Sequence, residues 1–141
     1  MNDNIKSNIR ALRENSPIAY VASVNEDGFP QVKAMMVLEH ESLRVHYFST
    51  NTSSKRVGQF IKNPKASVYY CNDRQFKGAL FTGTMEVCRD RESRELLWDD
   101  ASFKYYPKGV DDEDYSVYKF TAEKVNYYHG LSNSTLSITE L

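Results

Sequence analysis

Apolar residues change their spacing several times along the chain, and each change predicts a new element. Over residues 3–15, Ile5, Ile9 and Leu12 recur at helical spacing, with Asp3 or Asn4 as cap and Pro17 as stop. Residues 18–24 are a continuous apolar run (Ile-Ala-Tyr-Val-Ala-Ser-Val), which predicts a strand buried on both faces. The turn Asn25-Glu26-Asp27-Gly28 then predicts a hairpin into a return strand over residues 31–38. Val32, Ala34, Met36 and Leu38 would share one face of that strand, and Lys33, Met35 and Val37 the other. After a second turn at 39–42, residues 43–49 alternate as a third strand, so the three are expected to form a meander.

A polar loop at 50–54 leads into residues 55–62, where Val57, Phe60 and Ile61 make one apolar helical face that Asn63-Pro64 terminates. A fourth strand is expected over 66–71 and a long fifth over 76–87, with Gly78 and Gly83 permitting bends or bulges. Asp90 caps a short helix through Leu96, Leu97 and Trp98; residues 104–114 read as a loop. Strands are expected over 115–122 and 124–129, and residues 130–141 read as a polar, disordered tail. The result is one mainly β domain spanning 1–141: an antiparallel barrel of six to seven strands decorated by short helices.

Composition narrows the function. The 141 residues carry 18 Lys and Arg against 19 Asp and Glu, a net charge of −1 that argues against a nucleic-acid partner. No apolar run is long enough to span a membrane, and residues 1–4 lack the basic and apolar character of a secretory leader, so a cytoplasmic protein is expected. Cys71 and Cys88 stand 17 positions apart with no paired-cysteine motif, and the three His residues show no ligand spacing, so no metal site is expected. Ten Tyr, seven Phe and one Trp are many for so small a core, which points to an interface or a flat-ligand site.

The stretch Ser49-Thr50-Asn51-Thr52-Ser53-Ser54-Lys55-Arg56 is the richest in chemistry. It combines a strand end, several hydroxyls, a helix start and two adjacent cations. Unpaired N–H groups at a helix start, hydroxyl donors and two full charges together suit a phosphate. The same residues also fit a plainly capped surface helix with solvated cations, and caps are common.

The order of these features resembles the FMN-binding split-barrel family related to pyridoxamine 5'-phosphate oxidase. The resemblance runs over about residues 5–129, through Gly28-Phe29-Pro30, the strand from Lys33 to Leu38, and Thr50-Asn51-Thr52-Ser53-Ser54-Lys55-Arg56 followed by Asn63-Pro64. Residues 97–100 (Leu-Trp-Asp-Asp) and 105–112 are similar to its general stress protein branch. It implies a split, Greek-key-like antiparallel barrel with short flanking helices and FMN as cofactor, with the isoalloxazine along Lys33, Ala34, Met35, Met36 and Val37. Ser49, Thr50 and Asn51 would lie near the ring and ribityl chain, and Ser54, Lys55 and Arg56 at the phosphate. It further implies a homodimer with FMN at the subunit interface, exchanging electrons with a small-molecule donor or acceptor. The oxidase's flavin-contacting Gln is missing near Lys77-Gly78, and so is its C-terminal recognition tail, so vitamin B6 oxidation is not expected. No residue stands out as a general acid or base. The expected function is a flavin-dependent oxidoreductase, against two alternatives: a non-catalytic FMN carrier or redox sensor, and the same fold holding a deazaflavin or haem.

Overall fold

The computed structural model describes residues 2–141. Helix α1 (Asn2–Glu14) is followed by β1 (Ile18–Val24), β2 (Pro30–Met36), β3 (Val45–Asn51), α2 (Lys55–Lys62), β4 (Lys65–Asn72), β5 (Lys77–Cys88), α3 (Arg91–Leu97), β6 (Tyr115–His129) and β7 (Ser132–Ser137). The seven strands form one antiparallel sheet in the order β2-β1-β4-β5-β6-β3, with β7 also on β6. The sheet curls without closing, the split barrel expected from the sequence. Its core is built from inward residues such as Val21, Phe48, Val68, Phe81, Phe120 and Val125, all at most 1% exposed.

Four expectations are corrected. The first three strands are not a meander: β1 and β2 pair, but β3 pairs with β6 at the far edge of the sheet. The link over residues 37–44 carries the chain across, and Glu39 pins it. Its carboxylate accepts from Arg13 at 2.9 Å and from the backbone N–H groups of Tyr47 and Glu41. Strand β1 is buried on one face only, because Ile18 and Tyr20 remain 36% and 40% exposed on the other. The two strands expected over 115–129 are one strand with a bulge. Thr82 pairs with Lys124 and Gly83 with Ala122, leaving Glu123 as the extra residue. Gly83 is needed there, since a Cβ would lie 2.0 Å from the Thr121 carbonyl oxygen. The segment read as a disordered tail forms β7: β6 gives one edge to β3 along residues 115–121 and to β7 along 124–129. Leu136 fixes that last strand by entering the core.

A second, smaller cluster covers the other face of β3 and β6, where Tyr106, Tyr115 and Val117 pack with Leu97 and Cys88. Trp98 meets Tyr115 edge-on at 5.2 Å, so the Trp and Tyr106 are held within this cluster; Tyr105 is exposed. Residues 104–114 are a loop that follows one short 3-10 turn (Asp100–Lys104) and contains another (Gly109–Asp111), on either side of Pro107.

Candidate functional site

Helix α2 starts where the sequence places it. Ser54 has an extended backbone, and its Oγ accepts the Arg56 N–H at 3.3 Å, the ordinary role of an N-cap serine. The preceding loop is fastened to β6. Thr52 N–H donates to the Asp114 carbonyl, Ser53 N–H to the Asp114 carboxylate, and Thr52 Oγ1 lies 2.5 Å from Ser116 Oγ. The Ser54 N–H donates to the Asn51 carbonyl at 3.0 Å, so three of the loop's N–H groups are used and its hydroxyls and the side-chain cations remain as donors.

The two cations differ. Lys55 is exposed and enters no ion pair among the described residues. Arg56 is only 9% exposed and reaches inward to β1, with Nη2 donating to the Val21 carbonyl at 2.5 Å and Nε to Ser23 Oγ at 3.3 Å. Its guanidinium lies 5.5 Å from the Phe60 ring centroid. Nη1 is buried without a partner, and no carboxylate among the described residues pairs with the guanidinium. Burial lowers the Arg56 pKa, with Tyr118 opposing the shift. A desolvated cation with an idle donor is costly unless an anion joins it.

Register connects this helix start with β2. Val21, which accepts from Arg56, pairs with Lys33, and Ala19 pairs with Met35. Facing residues in a sheet share a side, so Lys33 and Met35 lie on the side of β1 that carries Val21 and Ala19. Met35 and Val37 pack against the core there, whereas Ala34 and Met36 turn to the opposite face with Tyr20 and Ile18. On β3, Thr50 is buried on the same face as Phe48 and His46, but Ser49 and Asn51 alternate to the other face. Asn51 donates to Ser53 Oγ. The structure therefore groups Thr50, Ser54, Lys55 and Arg56 at the start of α2 and joins Lys33 and Met35 to them through β1. The side chains of Ala34, Met36, Ser49 and Asn51 lie on the opposite faces of their strands.

Sequence reasoning missed three residues at this site. Ser23 and Gln59 are bonded at 2.7 Å and fix the end of β1 to α2. Tyr118 of β6 is 1% exposed, and its buried hydroxyl makes no well-formed hydrogen bond. Only alternation along β6 could have signalled Tyr118, and it marks the residue as core, not as site.

A cavity of about 670 Å3 adjoins α2 and is lined by Thr52, Val57, Phe60, Ile61, Met85 and Lys119 among others. A cleft of about 1110 Å3 runs between α1 and the β4–β5 turn, past Asn15, Tyr20, Arg74 and Lys77. It is wide, lined by polar and apolar residues alike, and contains none of the helix-start residues. Among the described residues no three His, Cys, Asp or Glu side chains are grouped to hold a metal ion, and no helix is long and apolar enough to cross a membrane.

The chain is a split β barrel whose strand-to-helix corner carries a buried arginine with no carboxylate partner among the described residues, and the comparisons specify its family. The model of the family described as pyridoxamine 5'-phosphate oxidase matches residues 5–129. A solved structure from Clostridium acetobutylicum is related to general stress protein 26 of Bacillus subtilis, of the pyridoxine phosphate oxidase family. It shares 45% identity, with 96% of this chain and 94% of that chain covered and a TM-score of 0.85. General stress protein 26 of Bacillus anthracis str. Sterne superposes with a TM-score of 0.79 at 20% identity, over 95% and 98% of the two chains. A haem-binding protein of Mycobacterium smegmatis shares the fold at 16% identity and a TM-score of 0.72, over 93% of this chain and 57% of its own. A search of curated proteins gave no match. The chain belongs to the pyridoxamine 5'-phosphate oxidase family, in its general stress protein branch.

Proposed function

We propose that this protein binds FMN non-covalently, as a homodimer in the cytoplasm, and serves as a flavin-dependent oxidoreductase for a small-molecule electron donor or acceptor. The observation that carries the flavin reading is Arg56: a buried guanidinium without a carboxylate, its Nη1 unused, beside the Ser54 cap and the free Lys55. That donor set fits a phosphate dianion. Ser54, Lys55 and Arg56 would hold the phosphate, and Lys33 to Val37 would run along the isoalloxazine. The bound flavin supplies the hydride or single-electron chemistry. The chain's own contribution is position and charge: Arg56 fixes the phosphate to β1, and Lys33 adds a cation on the neighbouring strand.

The dimer reading rests on the outer sheet face. Ile18, Tyr20, Val32, Met36 and Leu80 are all at least 36% exposed there, an apolar surface of the kind monomers seldom leave in water. Haem is the weaker alternative. His46 is fully buried with Nδ1 bonded to the Tyr70 hydroxyl at 2.8 Å and Nε2 to the Leu43 carbonyl at 2.9 Å, so neither nitrogen is open to a metal; His40 and His129 are exposed.

The test is the absorption spectrum and mass of the ligand that co-purifies, followed by titration of ligand-free protein with FMN and riboflavin. Flavin bands and a marked preference for FMN are expected. A Soret band, a deazaflavin spectrum, or equal affinity for FMN and riboflavin would overturn the assignment. Turnover with a reduced nicotinamide and an acceptor separates an oxidoreductase from a carrier or sensor.

A further inference from the structure

Helix α2 has two sides with different neighbours. Arg56 reaches inward to β1, whereas Val57, Phe60 and Ile61 line the cavity of about 670 Å3 against β5 and β6. Strand lengths explain why the cavity exists. Asn63-Pro64 ends the helix, and β4 begins at Lys65, which pairs with Thr84 of β5. The Met85 N–H still donates to the Pro64 carbonyl at 2.7 Å, but from Glu86 to Cys88 β5 runs on with β6 alone. A notch is left beside the last turn of α2, where β4 has not yet begun.

The notch is apolar below and charged at its rim. Val57, Phe60 and Met85 are each at most 6% exposed, while Ile61 at the edge is 71% exposed. The polar side is built on the β5–β6 ladder, where Thr84 faces Thr121 and Glu86 faces Lys119, and Arg89 follows the end of β5. The Arg89 guanidinium donates to the Glu113 carbonyl at 3.2 Å. Neither Arg89 nor Lys119 enters an ion pair among the described residues, and neither does Glu86. The rim therefore carries two cations against one carboxylate.

This arrangement has a chemical complement. The volume lies within the range of small-molecule sites, roughly 300–1,000 Å3. An apolar body would cover Ile61 and the floor, and one carboxylate would offset the excess cation. A dianion would meet Glu86, and a neutral ligand would leave the cations without a partner. We infer that this notch is a second ligand site, for a small monocarboxylate with an apolar body, held by Lys119 and Arg89 against the side of α2. Ser54, Lys55 and Arg56 do not line it, so it is separate from the phosphate corner and does not rest on the flavin reading.

The probe is 2-naphthoate, compared with the uncharged 2-naphthamide by calorimetric titration and amide NMR shifts, in ligand-free protein and with FMN added. Saturable one-to-one binding of the acid at about 1 mM or tighter is expected, with shifts at residues 57–64, 84–89 and 119–121. The amide should bind about tenfold more weakly. Lys119→Gln should weaken the acid about threefold and leave the amide unchanged, and Glu86→Gln should tighten the acid by about the same factor. Ile61→Asp, at an exposed position, should weaken both ligands about tenfold with ligand-free melting unchanged. The absence of saturable binding at millimolar concentration, equal affinity for acid and amide, indifference to Lys119→Gln and Glu86→Gln, or displacement of 2-naphthoate by FMN would each overturn the assignment. If the protein ignores FMN but binds 2-naphthoate in the expected way, the flavin reading fails and the second site stands.

Discussion

Arg56 and Lys55 stand side by side in the chain, yet substitutions at the two positions should behave differently. Lys55 is exposed and unpaired, so Lys55→Met should move ligand-free stability by no more than about 0.5 kcal/mol. If its ammonium meets the phosphate, one charge-assisted contact of about 1.5–3 kcal/mol is lost, which is about ten- to 150-fold in FMN affinity. Riboflavin affinity should stay constant. Arg56 has two tasks. Nη2 and Nε hold Val21 and Ser23 of β1, and only Nη1 is free. Arg56→Lys keeps the charge but has no fork with which to serve both sides, so it should lose most of the preference for FMN over riboflavin. Arg56→Met loses the bond to Val21, about 1.5–3 kcal/mol, but also removes a desolvated cation that has no counter-ion. These effects oppose each other, so ligand-free melting should shift by only a few degrees. Flavin fluorescence titration and melting curves with and without ligand measure every quantity. If Arg56→Lys bound FMN as the wild type does, or Lys55→Met weakened FMN and riboflavin alike, the phosphate could not sit at this corner.

Three further outcomes are expected. Lys33 lies cross-strand from Val21, so Lys33→Met should lower the potential of bound flavin by tens of millivolts, about 30 mV corresponding to 1.4 kcal/mol; spectroelectrochemistry with no change would place its ammonium away from the ring. Sedimentation should give about twice the 16.3 kDa chain mass, and Met36→Glu with Val32→Glu on the exposed sheet face should yield a monomer; a wild-type monomer that binds FMN tightly would remove the interface from the site. His46 is held neutral, its pKa pushed down to about 3 by burial first and the Arg13 charge second, against a Leu43 carbonyl bond that raises it. The unfolded chain takes that proton near pH 6.5, so the contribution is complete above that pH and is lost as pH falls toward 3. Stability should drop by about 2 kcal/mol from pH 7 to 5, and His46→Gln should abolish that part of the slope in urea titrations.

Local pattern carried much of this architecture and little of its pairing. Helix α2 and its Ser54 cap follow directly from hydroxyl, cation and apolar spacing at residues 54–62. So does the hairpin at Gly28, where φ is +83° and the Asn25 side chain accepts from Asp27 and Phe29. Which strand β3 joins is not a local property, because an alternating strand fits any apolar neighbour. The deciding contact, Arg13 to Glu39, links residues 26 positions apart, and nothing in their surroundings marks them as partners. The continuous β6 was hidden for a related reason. Glu123 breaks the alternation as a strand end would, and only the facing Gly83 reveals a bulge. At the site, charges and hydroxyls could be named from the chain, but Tyr118 could not.

The placement of Arg56 bears on how one small domain could hold a long, two-ended ligand. A phosphate contact at a helix start fixes one end, and it does nothing by itself for a ring lying along a strand. Here the helix start is joined to that strand through one side chain: Arg56 to the Val21 carbonyl, and Val21 to Lys33 in the ladder. The Ser23–Gln59 bond adds a second tie between β1 and α2. Strand β2 has no other sheet neighbour among the described residues, and apart from Met35 every residue along it is exposed, so its position depends on β1. Charging the corner with an anion would strengthen the hold of Arg56 on β1 and steady the edge strand against which the ring would lie. Riboflavin, lacking the phosphate, should leave that strand mobile. Hydrogen exchange at residues 30–36 should therefore slow more with FMN than with riboflavin at equal saturation, and equal protection by the two would show that the corner and the strand act independently.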